Sequence, residues 1–183
     1  PDHEVFTRSS AADVGAQQDS LIAGYVAANK DVLTANAKMA EALGLKSESA
    51  AALATAEALT SGATKDSINE TDKAIGASTS AVSAELAKAP KLDATAKQTF
   101  AAGLVSLASG AVRYVGVGKN VKAMTNSLSS VSPLQFPKLQ WAVTIVANFP
   151  ESMASVSTAL QNAVAFAKNN DIPVPADATR TQA

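Results

Sequence analysis

Apolar positions along this chain recur at spacings of three and four, the signature of amphipathic helices, with no run of strict alternation. Ile22, Val26, Asn29, Leu33, Asn36, Ala40 and Leu43 follow one another at 4-3-4-3-4-3, and Val14, Leu21, Tyr25, Val32 and Met39 form a second seam beside them. Two adjacent seams give a wide apolar face, as on a helix with bundle neighbours on more than one side. Narrower stripes follow: Ile68, Ile75, Thr79, Val82 and Leu86; then Phe100, Leu104, Leu107, Ala111, Tyr114, Gly118, Val121 and Leu128; then Leu139, Val143, Val146, Met153, Val156, Leu160 and Val164.

Start and stop signals divide the pattern. Ser10 is placed to cap a first helix that closes at Gly44, where a left-handed glycine belongs. Ser47 is placed to cap a short second helix that ends at Gly62. Thr64 caps a third, which stops at or before Ala89 because Pro90 follows. Asp93 caps a fourth that runs to about Ser130, and Pro133 and Pro137 punctuate a turn. A fifth helical region spans about 138–169, with Pro150 as a kink or a fresh start and Asn148 as the cap before it. Residues 1–9 carry charge without periodicity and read as a flexible lead-in; 171–183, with Pro173 and Pro175, reads as a non-helical tail with Ile172 docking back. The expectation is an all-α, antiparallel helical bundle of about five helices, two of them long, forming one domain over 10–170. No repeat of fixed period suggests a solenoid.

Composition sharpens this. Alanine, the best helix former, occupies 40 of 183 positions, and aromatic residues only 4%. Cysteine is absent and the single histidine is His3, so Cys/His zinc sites, thiolate chemistry and the Glu-x-x-His pairs of di-iron bundles have no ligands to draw on. Serine nucleophiles lack an activating base. The segment Gly116-Val-Gly118-Lys119-Asn120 is not a phosphate loop: Arg113 stands where the earlier glycine belongs, Asn120 replaces Ser/Thr, and the context is helical. Small residues at a close helix contact explain it better. The acids Asp66, Glu70 and Asp72, beside Lys65 and Lys73, read as a solvated face. The chain is therefore expected not to be an enzyme and to carry no cofactor or metal.

Charge is unevenly spread: residues 1–92 hold 8 Lys/Arg and 12 Asp/Glu, residues 93–183 hold 7 and 4. No acid occurs between Asp93 and Glu151, a stretch that is also the most apolar in the chain. Thr99 to Gly118 has Arg113 as its only charge, long enough to span a bilayer yet rich in Ser and Gly. Within this region Arg113, Tyr114, Lys119, Lys122 and Trp141 are the candidate membrane or ligand contacts. Asn29 and Asn36, seven apart on an apolar seam, are candidate buried register residues. Tyr25 and Tyr114 sit on seams, and their hydroxyls need partners if buried, with Arg113 and the two asparagines as candidates.

Two functional expectations follow. The first is a non-enzymatic bundle that acts through a protein partner or a small apolar ligand held between helices. The second is a membrane- or lipid-active protein that uses 94–150 for binding anionic lipid, coating granules or inserting a hairpin with arms at 99–122 and 139–149. The helical, Cys-free, Ala-rich composition resembles that of phasin-type granule coat proteins, which implies such a coating role. The polar vocabulary, rich in Ser, Thr, Asn and Gln, points to an exported bacterial protein, periplasmic or extracellular. Ala/Gly faces invite a homo-dimer. The absence of a dense basic stripe argues against nucleic acid.

Overall fold

The computed structural model describes residues 2–59 and 64–180, and among them the chain is an all-α bundle. Its helices are α1 (Asp2–Ala42), α2 (Lys46–Ala58), α3 (Lys65–Leu86), α4 (Ala94–Leu128), α5 (Gln140–Asn169) and a short α6 (Ala176–Arg180). A 3₁₀ corner, Pro133–Leu139, joins α4 to α5.

Most boundaries sit where the local chemistry puts them. Gly44 has φ 81°, and Leu45 N–H donates to the Ala40 carbonyl at 2.8 Å while Gly44 N–H donates to Glu41 at 3.1 Å. This 6→1 and 5→2 pair closes α1 as a Schellman motif. Thr64 Oγ1 accepts from Ser67 N–H at 3.3 Å, and Asp93 Oδ1 from Ala96 N–H at 2.8 Å, so both expected caps are in place.

Five expectations need correction. The first helix begins at Asp2, so it runs through Ser10 and residues 2–9 are helical; no Gly or Pro interrupts the sequence there. Helix α2 starts at Lys46 without a side-chain cap, so Ser47 caps nothing. Its fixed point is instead Ser49, whose Oγ donates to the Ala37 carbonyl of α1 at 2.7 Å. The helix ends at Ala58, and Gly62 lies outside the described residues. Helix α5 passes through Pro150 without a restart, and Asn148 is not a cap because its amide is used elsewhere. A proline interior to a helix removes one hydrogen bond, here the one the Val146 carbonyl would have received. Finally, the tail is not wholly non-helical. After Pro175, α6 forms and packs on α4 with Ala178 buried, while Ile172 docks on the core as expected.

The long helices form a ring in which α1 touches α4, α4 touches α5, α5 touches α3 and α3 touches α1. Cross-helix contacts give their directions. Met39 lies against Gly103 and Val32 against Gly110, so α4 runs antiparallel to α1. Phe100 meets Phe166 and Tyr114 meets Phe149, so α4 also opposes α5. In contrast, Asn29 pairs with Asp72 and Asn36 with Ser78, and Asn69 pairs with Asn148 and Ser83 with Asn162. Helices α1, α3 and α5 are therefore mutually parallel, and among the long helices α4 alone opposes them. The short α2, packed on α1 and α3, returns the chain between the first two.

The stripes point inward largely as spaced. Leu21, Tyr25, Val32, Leu33, Met39 and Ala40 on α1, and Phe100, Leu104, Leu107 and Tyr114 on α4, are fully buried. The exception is the start of α5, where Ala142 and Ile145 face in and Val143 faces out. Glycines bring α1 and α4 together: a Cβ on Gly103 would lie 2.9 Å from Met39 Cγ and 3.1 Å from the Ala35 carbonyl oxygen. By length and composition α4 could cross a membrane, but half of its most apolar window is buried within the bundle.

Candidate functional site

One layer of the bundle interior is polar, and all four long helices contribute to it. Its centre is Asp72 on α3. Tyr25 of α1 donates its hydroxyl to Asp72 Oδ1 at 2.6 Å and shares a second bond with Ser152 Oγ of α5 at 2.9 Å. Asn148 of α5 donates from Nδ2 to Asp72 Oδ2 at 2.9 Å and to Asn69 Oδ1 at 2.7 Å. Asn29 of α1 reaches Asp72 Oδ1 more weakly, at 3.4 Å, and accepts from the Tyr114 hydroxyl of α4 through its own Oδ1. The rings reinforce the layer: Tyr25 and Tyr114 meet edge-on at 6.1 Å, and Tyr114 stacks on Phe149 at 5.9 Å.

Burial governs the electrostatics. It pushes the Asp72 carboxyl above the usual carboxylate range, and the donors Tyr25, Ser152, Asn148 and Asn29 only partly offset it. Burial, first, and then the neighbouring Tyr114 and the Asp72 charge raise Tyr25 well above an ordinary phenol; burial and Asp72 do the same to Tyr114. Both hydroxyls stay protonated and serve as donors. They cannot act as bases.

Asp72 also meets solvent. A cavity of about 470 Å³ opens between α3 and α5, lined on the α3 side by Asn69, Asp72, Lys73 and Gly76. Asn148, Glu151, Ser152 and Ser155 line it from α5. The volume lies within the usual range for small-molecule sites, but the lining is polar where most such sites are apolar. Gly76 leaves it open, since a Cβ there would meet nothing within 4 Å. No group of three or more His, Cys, Asp or Glu that could hold a metal exists among the described residues.

The residues singled out from the sequence are scattered. Asn29 and Asn36 are buried as expected: Asn29 belongs to the polar layer, and Asn36 ties α1 to α3 by donating to Ser78 Oγ at 2.8 Å and Thr79 Oγ1 at 3.2 Å. Asn36 Oδ1 is buried without a partner. Tyr114 is fully buried in the polar layer, so it offers no surface contact to a membrane. Arg113 does not serve either tyrosine; it forms an ion pair with Asp31 of α1 at 2.8 Å on the surface. Lys119 and Lys122 are exposed on α4, and Trp141 is half-buried at the start of α5. Gly118 abuts Phe149, as a close helix contact should, whereas Gly116 faces open space.

The acidic trio is corrected in one member. Asp66 and Glu70 are exposed, but Asp72 is the hub of the interior layer. A signal existed, because Ile68, Asp72, Ile75 and Thr79 are spaced 4-3-4 and Asp72 lies on the buried stripe. Asn69, Asn148 and Ser152 carried no comparable signal. Comparison with known proteins adds no relative, since no family model, no curated protein and no solved structure matches this chain.

Proposed function

We propose that this protein is a non-catalytic binding protein whose α3–α5 groove takes a small polar molecule. The observation that carries this reading is the cavity floor itself: Asp72, Asn148 and Ser152 line the groove and are held in place by bonds from three helices. Side chains locked by their own partners bind with little loss of conformational entropy. The sequence suggests an apolar ligand; the polar lining shifts the class to a hydrogen-bonding one. Catalysis is not part of the reading, because the tyrosines are held protonated and neither histidine nor cysteine stands in the layer.

The test is a panel of small amines, polyols, amides and carboxylates at millimolar concentration, followed by amide chemical shifts. Shifts clustered on Asn69, Asp72, Gly76, Ser152 and Ser155, and lost in Gly76→Leu, are the expected result. A panel that moves none of these amides overturns the reading.

A second reading, association with an anionic lipid surface, is favoured by one separate observation. Leu134 is 89% exposed and Phe136 42% exposed on the 3₁₀ corner beside Lys138, in the acid-free stretch. Exposed apolar side chains with a basic flank suit interfacial binding. Salt-sensitive co-flotation with anionic vesicles, lost on replacing both residues with serine, is its expected result; no flotation at low salt removes it.

A further inference from the structure

The α3–α5 groove has an excess of negative charge, with two carboxylates against one ammonium, and the origin of the excess is visible. The donors that the protein spends here go into Asp72: the Tyr25 hydroxyl, the Asn148 amide and the Asn29 amide. They gather around the carboxylate but bring no positive charge. Neither the Lys88–Glu85 nor the Arg113–Asp31 ion pair involves Asp72, which has no cationic partner among the described residues. A second carboxylate, Glu151, lines the same groove and is likewise unpaired. With its amide nitrogen committed to Asp72 and Asn69, Asn148 keeps an oxygen for which the protein provides no donor. Lys73 is the one cation on the lining; it is exposed and does not come within ion-pairing distance of either acid.

A half-buried carboxylate fixed by neutral donors and lacking a counter-charge is incomplete electrostatically, because taking a charge out of water is costly unless it is paired. Resting on the reading of the groove as a polar binding site, we propose that its ligand carries a protonated amine, which seats against Asp72 with Glu151 at the rim. The ammonium supplies three donors and one positive charge to a site that offers acceptors and negative charge. A ligand carboxylate or phosphate would face two carboxylates, with Lys73 the one positive charge on the lining and only the neutral donors of Asn69 and Ser155 beside it.

Three probes of nearly equal size separate charge from shape: ethanolamine, ethylene glycol and glycolate. Each is titrated into the folded protein and read by amide shifts at Asp72, Gly76 and Ser155. Ethanolamine is expected to bind, ethylene glycol more weakly and glycolate least. Asp72→Asn keeps the shape and is expected to weaken ethanolamine by roughly tenfold or more, the cost of losing one charge-assisted hydrogen bond. Glu151→Gln weakens it by about two- to threefold, since this exposed acid is screened, and Lys73→Gln tightens it by a similar factor. Should Asp72→Asn not fold, Ser155→Lys serves instead: a tethered ammonium in the groove excludes ethanolamine and raises the melting temperature. Ethylene glycol or glycolate binding as well as ethanolamine, or Lys73→Gln weakening ethanolamine, overturns the cationic ligand and leaves the polar groove standing. If none of the three probes, nor any member of the wider panel, moves these amides, the groove itself is not a binding site and both readings fall.

Discussion

Tyr25→Phe isolates the polar layer with the smallest change in shape. The ring, its edge-on contact with Tyr114 and its full burial are all kept; only the hydroxyl goes. That hydroxyl donates to Asp72 at 2.6 Å and bonds Ser152 at 2.9 Å. A hydrogen bond to a charged group contributes about 1.5–3 kcal/mol. The carboxylate keeps Asn148 at 2.9 Å and Asn29 at 3.4 Å, so it is not stripped of donors. The expected loss near neutral pH is about 2 kcal/mol, a large part of a typical 5–15 kcal/mol stability. The pH dependence gives a second check. The folded pKa of Asp72 is raised above its unfolded value, so between the two the folded state holds more protons. The contribution of this group is therefore favourable in acid and is lost as pH rises through the folded pKa. Removing the Tyr25 donor raises that pKa further, so the variant recovers stability on mild acidification and the gap to wild type narrows. Urea unfolding followed by circular dichroism, near neutrality and in mild acid, measures both. A difference under about 0.5 kcal/mol at neutral pH, the range of inconsequential surface changes, would refute the assigned role of the hydroxyl, as would a gap that widens in acid.

Helix α4 supplies a matched pair. Gly116→Ala, in open space, should stabilise by about 1 kcal/mol through helix propensity and raise the melting temperature by about 2–4 °C. Gly103→Ala has the same propensity gain but drives a Cβ to 2.9 Å from Met39 and 3.1 Å from a backbone oxygen, so overpacking of about 1–3 kcal/mol should leave it no better than neutral. Thermal melts that show the two variants equally stabilised would mean the helices are farther apart than described. Arg113→Ala should cost less than about 1 kcal/mol, and less again at high salt, because its ion pair with Asp31 is more than half exposed on the arginine side; a loss well above that in a salt series would show that Arg113 does more than pair at the surface. Leu134→Ser, at a side chain already in solvent, should leave stability within about 0.5 kcal/mol, which makes it a clean probe of lipid binding by flotation.

The sequence by itself determined the helical class, most helix boundaries and the faces that turn inward. These are local properties: Gly44 ends α1 because the turn there needs φ of 81°, Thr64 and Asp93 cap because their oxygens reach the third residue on, and Ile68, Ile75 and Val82 turn inward because a helix repeats every 3.6 residues. The tertiary structure alone decided which helices are neighbours and which way they run. That α1, α3 and α5 are parallel depends on α2 turning back along the bundle, which no local pattern encodes. It also decided the site. Asp72 stands on a buried stripe in the sequence, yet its meaning comes from Tyr25, 47 residues before it, and Asn148, 76 residues after it. Arg113 shows the same dependence, since its place at the centre of an apolar run suggests a membrane or ligand contact, while the neighbouring helix gives it Asp31. Hydrogen bonds and ion pairs form only within a few ångströms, so the partners of a polar side chain are known only once packing has chosen which helices meet.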